Sequence, residues 1–196
     1  MGVAPDFYDD LPGTLGEAWR LLTAGVSDRR SGFHTVTIAT IGLDGRPRAR
    51  TVVLRGCDRT SASLRFHSDA RAAKIAELQH DARIALHGYD PSQKIQIRIE
   101  GVARIHSDDA LADAAWEASR EFSRACYSIA PGPGTTIAAP DGYVMPQDSH
   151  ADASGRSDFR AVIIAATSLE WLYLAHAGHR RALFDLGTGE GRWLAP

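Results

Sequence analysis

Cysteine is scarce. Cys57 and Cys126 are the only two in 196 residues, no CxxC joins them, and neither a disulfide framework nor a thiolate metal cage can be built. That usage fits a reducing compartment, so a cytoplasmic protein is expected. An excess of one charge is missing too. Twenty-two basic and 24 acidic side chains leave a net charge of −2, no electrostatic footprint for nucleic acid or an anionic membrane. No apolar run approaches the ~20 residues that cross a bilayer, and residues 1–10 carry acids rather than the basic-then-apolar order of a signal peptide. Internal repeats, a GxSxG elbow, a GxxxxGK[ST] loop and an HExxH helix are all lacking. His176 and His179 are spaced HxxH without a third ligand, so no metal is expected. What is present is the composition of a soluble globular protein, 44 % hydrophobic and 23 % charged, in a chain long enough for one good core.

Hydrophobic periodicity predicts a mainly β chain. Residues 11–28 place Leu15, Ala18, Trp19 and Leu22 at helical spacing, which makes residues 1–30 a helical extension. Residues 33–41 alternate as a strand does, and Asp44-Gly45 is a turn signal that folds 33–41 and 47–55 into a hairpin. Further strands are expected at 63–68, 82–89, 94–105, 159–175 and 180–186. A helix follows the third strand, capped by Ser68 or Asp69, and another runs from Ser107 through Trp116 to about Phe122. Residues 127–158 are rich in proline and glycine and show no period. A stretch this long without regular structure in a compact domain is functional or disordered. Residues 187–191 read as a turn. A parallel α/β sheet would need helices between most strands, so residues 1–196 are expected to form one small antiparallel β-barrel with peripheral α-helices.

Arg50 and Arg55 bracket Thr51, Val52, Val53 and Leu54. Five apart in a strand, the two arginines fall on opposite faces, and alone they fit solubilising charges on an edge strand as well as a ligand. The next segment adds Ser68, Arg71 and Lys74. With a helix beginning near Asp69, Arg71 and Lys74 share a face in its first turns. Free backbone N–H groups, a hydroxyl and two cations at a helix N-terminus suit a phosphate. A solvated helix face accounts for the same cations equally well. Gln96 offers a donor and an acceptor, but it shares an alternating strand face with Arg98 and Glu100. Trp171 alone reads as a core aromatic.

Taken in series, the motifs carry more. RTVVLR (50–55), FHSDARAAK (66–74), QIRIEG (96–101), Glu170-Trp171 with His179-Arg180-Arg181, and a closing LAP resemble the pyridoxamine 5′-phosphate oxidase-like flavoproteins over residues 30–196. The resemblance implies a split β-barrel of six or more antiparallel, Greek-key-like strands, and a homodimer with FMN at the subunit interface. It implies an FMN-dependent oxidoreductase acting on a small molecule. Position by position, it lays Arg50, Thr51, Val52, Val53, Leu54 and Arg55 along the cofactor, with Arg50 at the phosphate end and Arg55 near the reactive side. His67 and Ser68 stand for an aromatic-Thr pair, Lys74 for the phosphate-binding lysine, and Arg71 for a variant of that motif. Gln96 matches a ring contact, and Trp171 and Arg181 match residues lent by the partner subunit. Arg55 and His179 become the candidate catalytic residues, since a cation beside the ring stabilises an anionic reduced flavin.

The match breaks at the substrate. Ala72 stands where that variant of the second motif carries Ser, and Ala73 stands where the oxidases proper carry an Arg. Their Arg-x-His trio, which grips the substrate phosphate, reads Ala177-Gly178-His179 here, and their Tyr/Arg/Ser grip finds no clean counterpart in residues 123–134. A phosphate without its arginine binds worse, because charge-assisted bonds are the strong ones. The expectation is a preserved flavin site with a different substrate, in the branch outside the oxidases proper. A non-catalytic binder or sensor of FMN, or of haem, is the alternative, and a genuine pyridoxamine 5′-phosphate oxidase is the second. Arg50, Lys74 and Gln96 favour FMN, since haem needs an axial ligand and no phosphate clamp.

Overall fold

Alternation and one turn start the sheet. The computed structural model describes residues 5–145, 155–176 and 178–196. Strands β1 (Thr35–Ile41) and β2 (Pro47–Asp58) form the expected hairpin, with Ile38 opposite Arg50. Its tight loop holds Gly45 at φ 75°, a left-handed position that strains other residues. Antiparallel strands β3 (Ser63–Asp69), β4 (Arg83–Asp90), β5 (Ile95–His106), β6 (Phe159–Tyr173) and β7 (Arg180–Asp185) follow. A last strand, β8 (Gly191–Leu194), lies where only a tail was expected. Four residues are too few to show a period, and pairing with β7 defines it.

The strands are ordered β3-β2-β1-β4-β5-β6-β7-β8, and β3 also pairs with β6. Strands β1 to β6 therefore close into a six-stranded barrel, and β7 and β8 continue from it. The 15 residues of β6 serve two neighbours in turn: residues 159–165 pair with β3 and residues 168–173 with β7. Between them Thr167 is the extra residue of a bulge opposite Glu100 and Gly101. A side chain at Gly101 would lie 2.3 Å from the Ala165 carbonyl oxygen, so this crossing accepts only glycine.

Every second residue points inward. Val36, Ile38, Leu54, Phe66, Leu86, Ile97, Ile99, Val162 and Ile164 fill the barrel, each contributing about 1.5–3 kcal/mol. Helix α1 (Leu11–Ser27) begins where Asp10 Oδ2 accepts the Gly13 N–H at 2.7 Å, and it buries Ala18, Trp19, Leu21 and Leu22 against the barrel. Helix α2 (Ala73–His80) packs Ile75 and Leu78 into the same core. It starts later than the sequence suggests. Asp69 is occupied by the Arg71 backbone N–H at 2.8 Å and its guanidinium at 2.6 and 2.9 Å. Residues 69–72 are therefore a turn, and the cap position falls to Ala72, whose side chain has nothing to cap with.

The helix expected over 107–122 is two, α3 (Ala110–Glu117) and α4 (Glu121–Ala125). The Arg124 guanidinium donates to the carbonyls of Trp116, Ser119 and Glu117 at 2.9, 3.0 and 2.7 Å. It satisfies the end of α3 and turns the chain. Ala115 and Trp116 then pack on Phe159 and Ala161 as a second small core. The described part of 127–158 is not structureless: 3₁₀ turns form at Cys126–Ser128 and Arg156–Asp158, and Ala130 bridges to Val144. Among the described residues no helix is long and apolar enough to cross a membrane.

Candidate functional site

The barrel opens beside the arginine strand. β2 pairs with β1 along Pro47–Val53 but meets β3 only from Leu54, opposite Phe66. The bonds from Leu54 N–H to His34 O (2.9 Å) and from Gly42 N–H to Arg46 O (2.8 Å) set the phase of the β1–β2 ladder. By alternation, the backbone groups of Thr51 and the Val53 N–H turn away from β1 into a gap on the side where β3 pairs only from Leu54 onward. Val52 and Leu54 point the other way and are buried. An open edge of donors and acceptors is what a flat heterocycle's polar rim requires.

Arg50, Ser68 and Lys74 gather at one end of this gap. Lys74 Nζ donates to the buried Ser68 Oγ at 3.2 Å. Burial pushes the Lys74 ammonium below its ordinary pKa, and the Arg50 charge adds to the shift. No carboxylate bonds Lys74 among the described residues. Arg50 reaches Glu77 Oε2 at 2.6 Å and also donates to Thr40 Oγ1. Two neighbouring cations and a hydroxyl, with Asp69 and Glu77 near Lys74 but not bonded to it, form a donor set that suits a phosphate dianion.

Arg71 does not join them. Its guanidinium lies on Asp69 at 2.6 Å, the Tyr127 carbonyl at 3.1 Å and Asp158 at 3.3 Å. The expected shared face with Lys74 depended on a helix beginning near Asp69. With residues 69–72 in a turn, Arg71 ties the post-α4 segment to the barrel instead.

At the other end, Arg55 sits in the register shift between Leu54 and Gly56. It lines a cavity of about 280 Å³ with Arg29, His34, Arg65, His67 and Arg120, serines at 27, 119 and 123, and no carboxylate. Four arginines and no carboxylate make the cavity wall positively charged, which favours an anion. Two of these residues, Arg65 and Arg120, were not singled out in the sequence. The signal for Arg65 was its alternation with His67 on β3. Nothing local marked Arg120, which arrives through the break between α3 and α4.

His67 is held neutral. Burial first, then the Arg65 and Arg55 charges, push its pKa down to about 3. Its ring meets Phe159 edge-on at 4.8 Å, and its Nε2 is buried without a partner among the described residues. The folded pKa lies below the ordinary 6.5, so the unfolded chain binds the extra proton. Stability is complete above about pH 6.5 and is lost as pH falls toward 3. Going from about pH 7.5 to about pH 4.5 should cost about 2–3 kcal/mol through this residue. Denaturant titrations of the parent and His67→Gln at both pH values test this: equal acid losses in the two would exclude His67 as the source.

Gln96 and Arg181 lie elsewhere. Both stand across from Leu172, on β5 and β7, and so share one outer sheet face. Gln96 Oε1 is 3.1 Å from His87 Nε2, and Arg181 is 3.2 Å from Glu170. In sheet order β5 is three strands from β2, about 14 Å at the usual strand spacing. Trp171 is not brought beside Arg181. The register sets Arg181 against Leu172 and Trp171 against Ala182, so the Trp171–Arg181 pair is divided between the two faces. The indole is 0 % exposed and meets Phe7 at 5.4 Å in the core. His179 lines a separate cleft with Asp9, Arg180, Arg181 and Trp193. Ala177 lies outside the described residues. No metal-binding group of three His, Cys, Asp or Glu occurs among the described residues.

A family model described as pyridoxamine 5′-phosphate oxidase, FMN-binding domain, matches residues 17–107. Pyridoxine/pyridoxamine 5′-phosphate oxidase 2 of Arabidopsis thaliana is 36 % identical over 135 residues, 63 % of this chain and 67 % of that protein. The chain belongs to the pyridoxamine 5′-phosphate oxidase family. Three bacterial pyridoxine/pyridoxamine 5′-phosphate oxidases are matched over about half their length, 44–55 %. Two solved structures share the fold. One is a pyridoxamine 5′-phosphate oxidase-related, FMN-binding protein from Nostoc punctiforme (TM-score 0.68, 22 % identity, 100 % of both chains). The other is PhzG from Burkholderia lata with tetrahydrophenazine-1-carboxylic acid (TM-score 0.73, 20 % identity, 100 % of this chain and 99 % of that one). The matched FMN-binding segment contains the whole gap, from Arg50 through Lys74, and Gln96; Trp171, His179 and Arg181 lie beyond it.

Proposed function

We propose that this family member holds FMN in the gap between β2 and β3 and acts as an oxidoreductase on a small molecule bearing an acidic group. The observation that carries the reading is the pairing of two sites along one strand: the Arg50–Ser68–Lys74 set at one end and the acid-free cavity at Arg55 at the other. Arg50, Ser68 and Lys74 would bind the phosphate, and the open backbone of Thr51 with the Val53 N–H would meet the ring edge. Arg55, Arg65 and Arg120 would orient the substrate's anion. The flavin supplies the two-electron chemistry when bound. Gln96 and Arg181 are too far along the sheet to serve the same gap, which supports a homodimer in which each lends them to its partner.

Purified protein loaded with FMN should show a flavin spectrum that bleaches on chemical reduction and recovers in air. Pyridoxamine 5′-phosphate should be turned over poorly, with kcat/KM below about 10⁴ M⁻¹s⁻¹, because Ala177 replaces the gripping arginine. Turnover above that value would make the chain an oxidase proper. A haem-holding barrel is the competing reading, favoured by the unpartnered Nε2 of His67; a haem spectrum on reconstitution, with no flavin retained, would establish it.

A further inference from the structure

Glu77 is a carboxylate in the wrong place for a phosphate site. It is 6 % exposed on α2, it faces Arg50, and its charge opposes any anion brought to the neighbouring Lys74. Burial of a lone carboxylate costs free energy unless it is paired and hydrogen-bonded, and here it is both. Glu77 Oε2 accepts from Arg50 Nη2 at 2.6 Å and from Thr40 Oγ1 at 2.6 Å. Thr40 in turn accepts from Arg50 Nη1. The three side chains come from β1, β2 and α2 and close a triangle around one guanidinium. Thr40 is 2 % exposed and the Arg50 side chain 23 %. Arg50 is thereby fixed along two of its nitrogens, while Lys74 beside it stays free of any carboxylate bond.

We propose that Glu77, together with Thr40, is the positioning residue for Arg50: it holds the guanidinium at the phosphate end of the gap and leaves Lys74 to meet the anion. This rests on the phosphate reading of that cluster. The repulsion Glu77 exerts is outweighed by the ordering it provides, because an arginine held in place before binding loses no side-chain freedom on binding. Neither residue touches the ligand.

The test uses FMN and riboflavin, which differ by the phosphate, in fluorescence titrations of the intact chain. Thr40→Val removes one arm of the triangle at constant charge; Glu77→Gln removes the counter-charge at constant volume. Each is expected to lower FMN affinity by about 3- to 10-fold, the ordering cost of one long side chain, with riboflavin affinity unchanged. Melting curves establish that each variant is folded; if Glu77→Gln is not, Thr40→Val decides. A variant FMN-to-riboflavin ratio equal to the parent's, or a tighter FMN in Glu77→Gln, overturns the proposal, since the carboxylate would then act on the phosphate only by repulsion. A parent that binds both flavins equally overturns the phosphate reading itself, and the positioning role with it.

Discussion

Replacing Arg50 and Lys74 together by alanine is expected to weaken FMN by roughly 10²- to 10⁴-fold, the sum of two charge-assisted bonds at about 1.5–3 kcal/mol each. Riboflavin should be nearly unaffected. The selection of these two follows from geometry. Among the described residues Lys74 donates only to Ser68, and burial with the Arg50 charge pushes it below its ordinary pKa although Asp69 and Glu77 lie near, so a phosphate would supply the charged partner its ammonium does not bond. Arg71 serves as the control. It is committed to Asp69, Asp158 and the Tyr127 carbonyl, so Arg71→Ala should lower stability and leave the FMN-to-riboflavin ratio intact. Equal loss of both flavins in the Arg50/Lys74 variant would show that the two cations do not read the phosphate.

The same variant tests the shared site. A chain lacking Arg50 and Lys74, refolded with a chain carrying Gln96→Ala and Arg181→Ala, forms mixed dimers in which one site is intact if the two halves come from different subunits. FMN binding should reappear in the mixture and in neither parent. Failure to recover it, or a monomer by sedimentation, would mean that Gln96 and Arg181 do not serve a neighbouring chain's gap.

Trp171→Ala should cost about 3–5 kcal/mol of stability, the usual loss for a large aromatic removed from a core. The indole is fully buried, packs edge-on against Phe7 and lies opposite Ile97 and Ala182. Its Nε1 is buried without a partner among the described residues, an unmade bond that already weighs on the folded state. Trp171→Phe removes that donor while keeping most of the ring, so it should cost less than about 1.5 kcal/mol. Denaturant midpoints at constant slope measure both. Trp171→Ala that unfolds normally but loses FMN would instead make the indole a cofactor contact, as the motif resemblance implied.

Much of this molecule was legible before any coordinates. Period-two alternation in 33–41, 63–68 and 94–105 marks barrel strands because each has one buried face, and Asp44-Gly45 marks the hairpin because the turn needs a left-handed residue. Leu15, Ala18, Trp19 and Leu22 mark α1 by their shared stripe. The motif series pointed to the family, and Arg50, Ser68 and Lys74 do gather in space. The tertiary structure alone decided which cation faces what. Arg71 and Lys74 look alike along the chain, yet one carboxylate, Asp69, turns the backbone and claims Arg71. Trp171 and Arg181 are ten apart in sequence, but the β6–β7 register sets them on opposite faces. Glu77, Arg65 and Arg120 carry no local signal strong enough to single them out, because their roles arise from partners 27, ten and many more residues away. Periodicity records which face a residue occupies within its own element; which charge it meets there depends on how distant elements close the barrel.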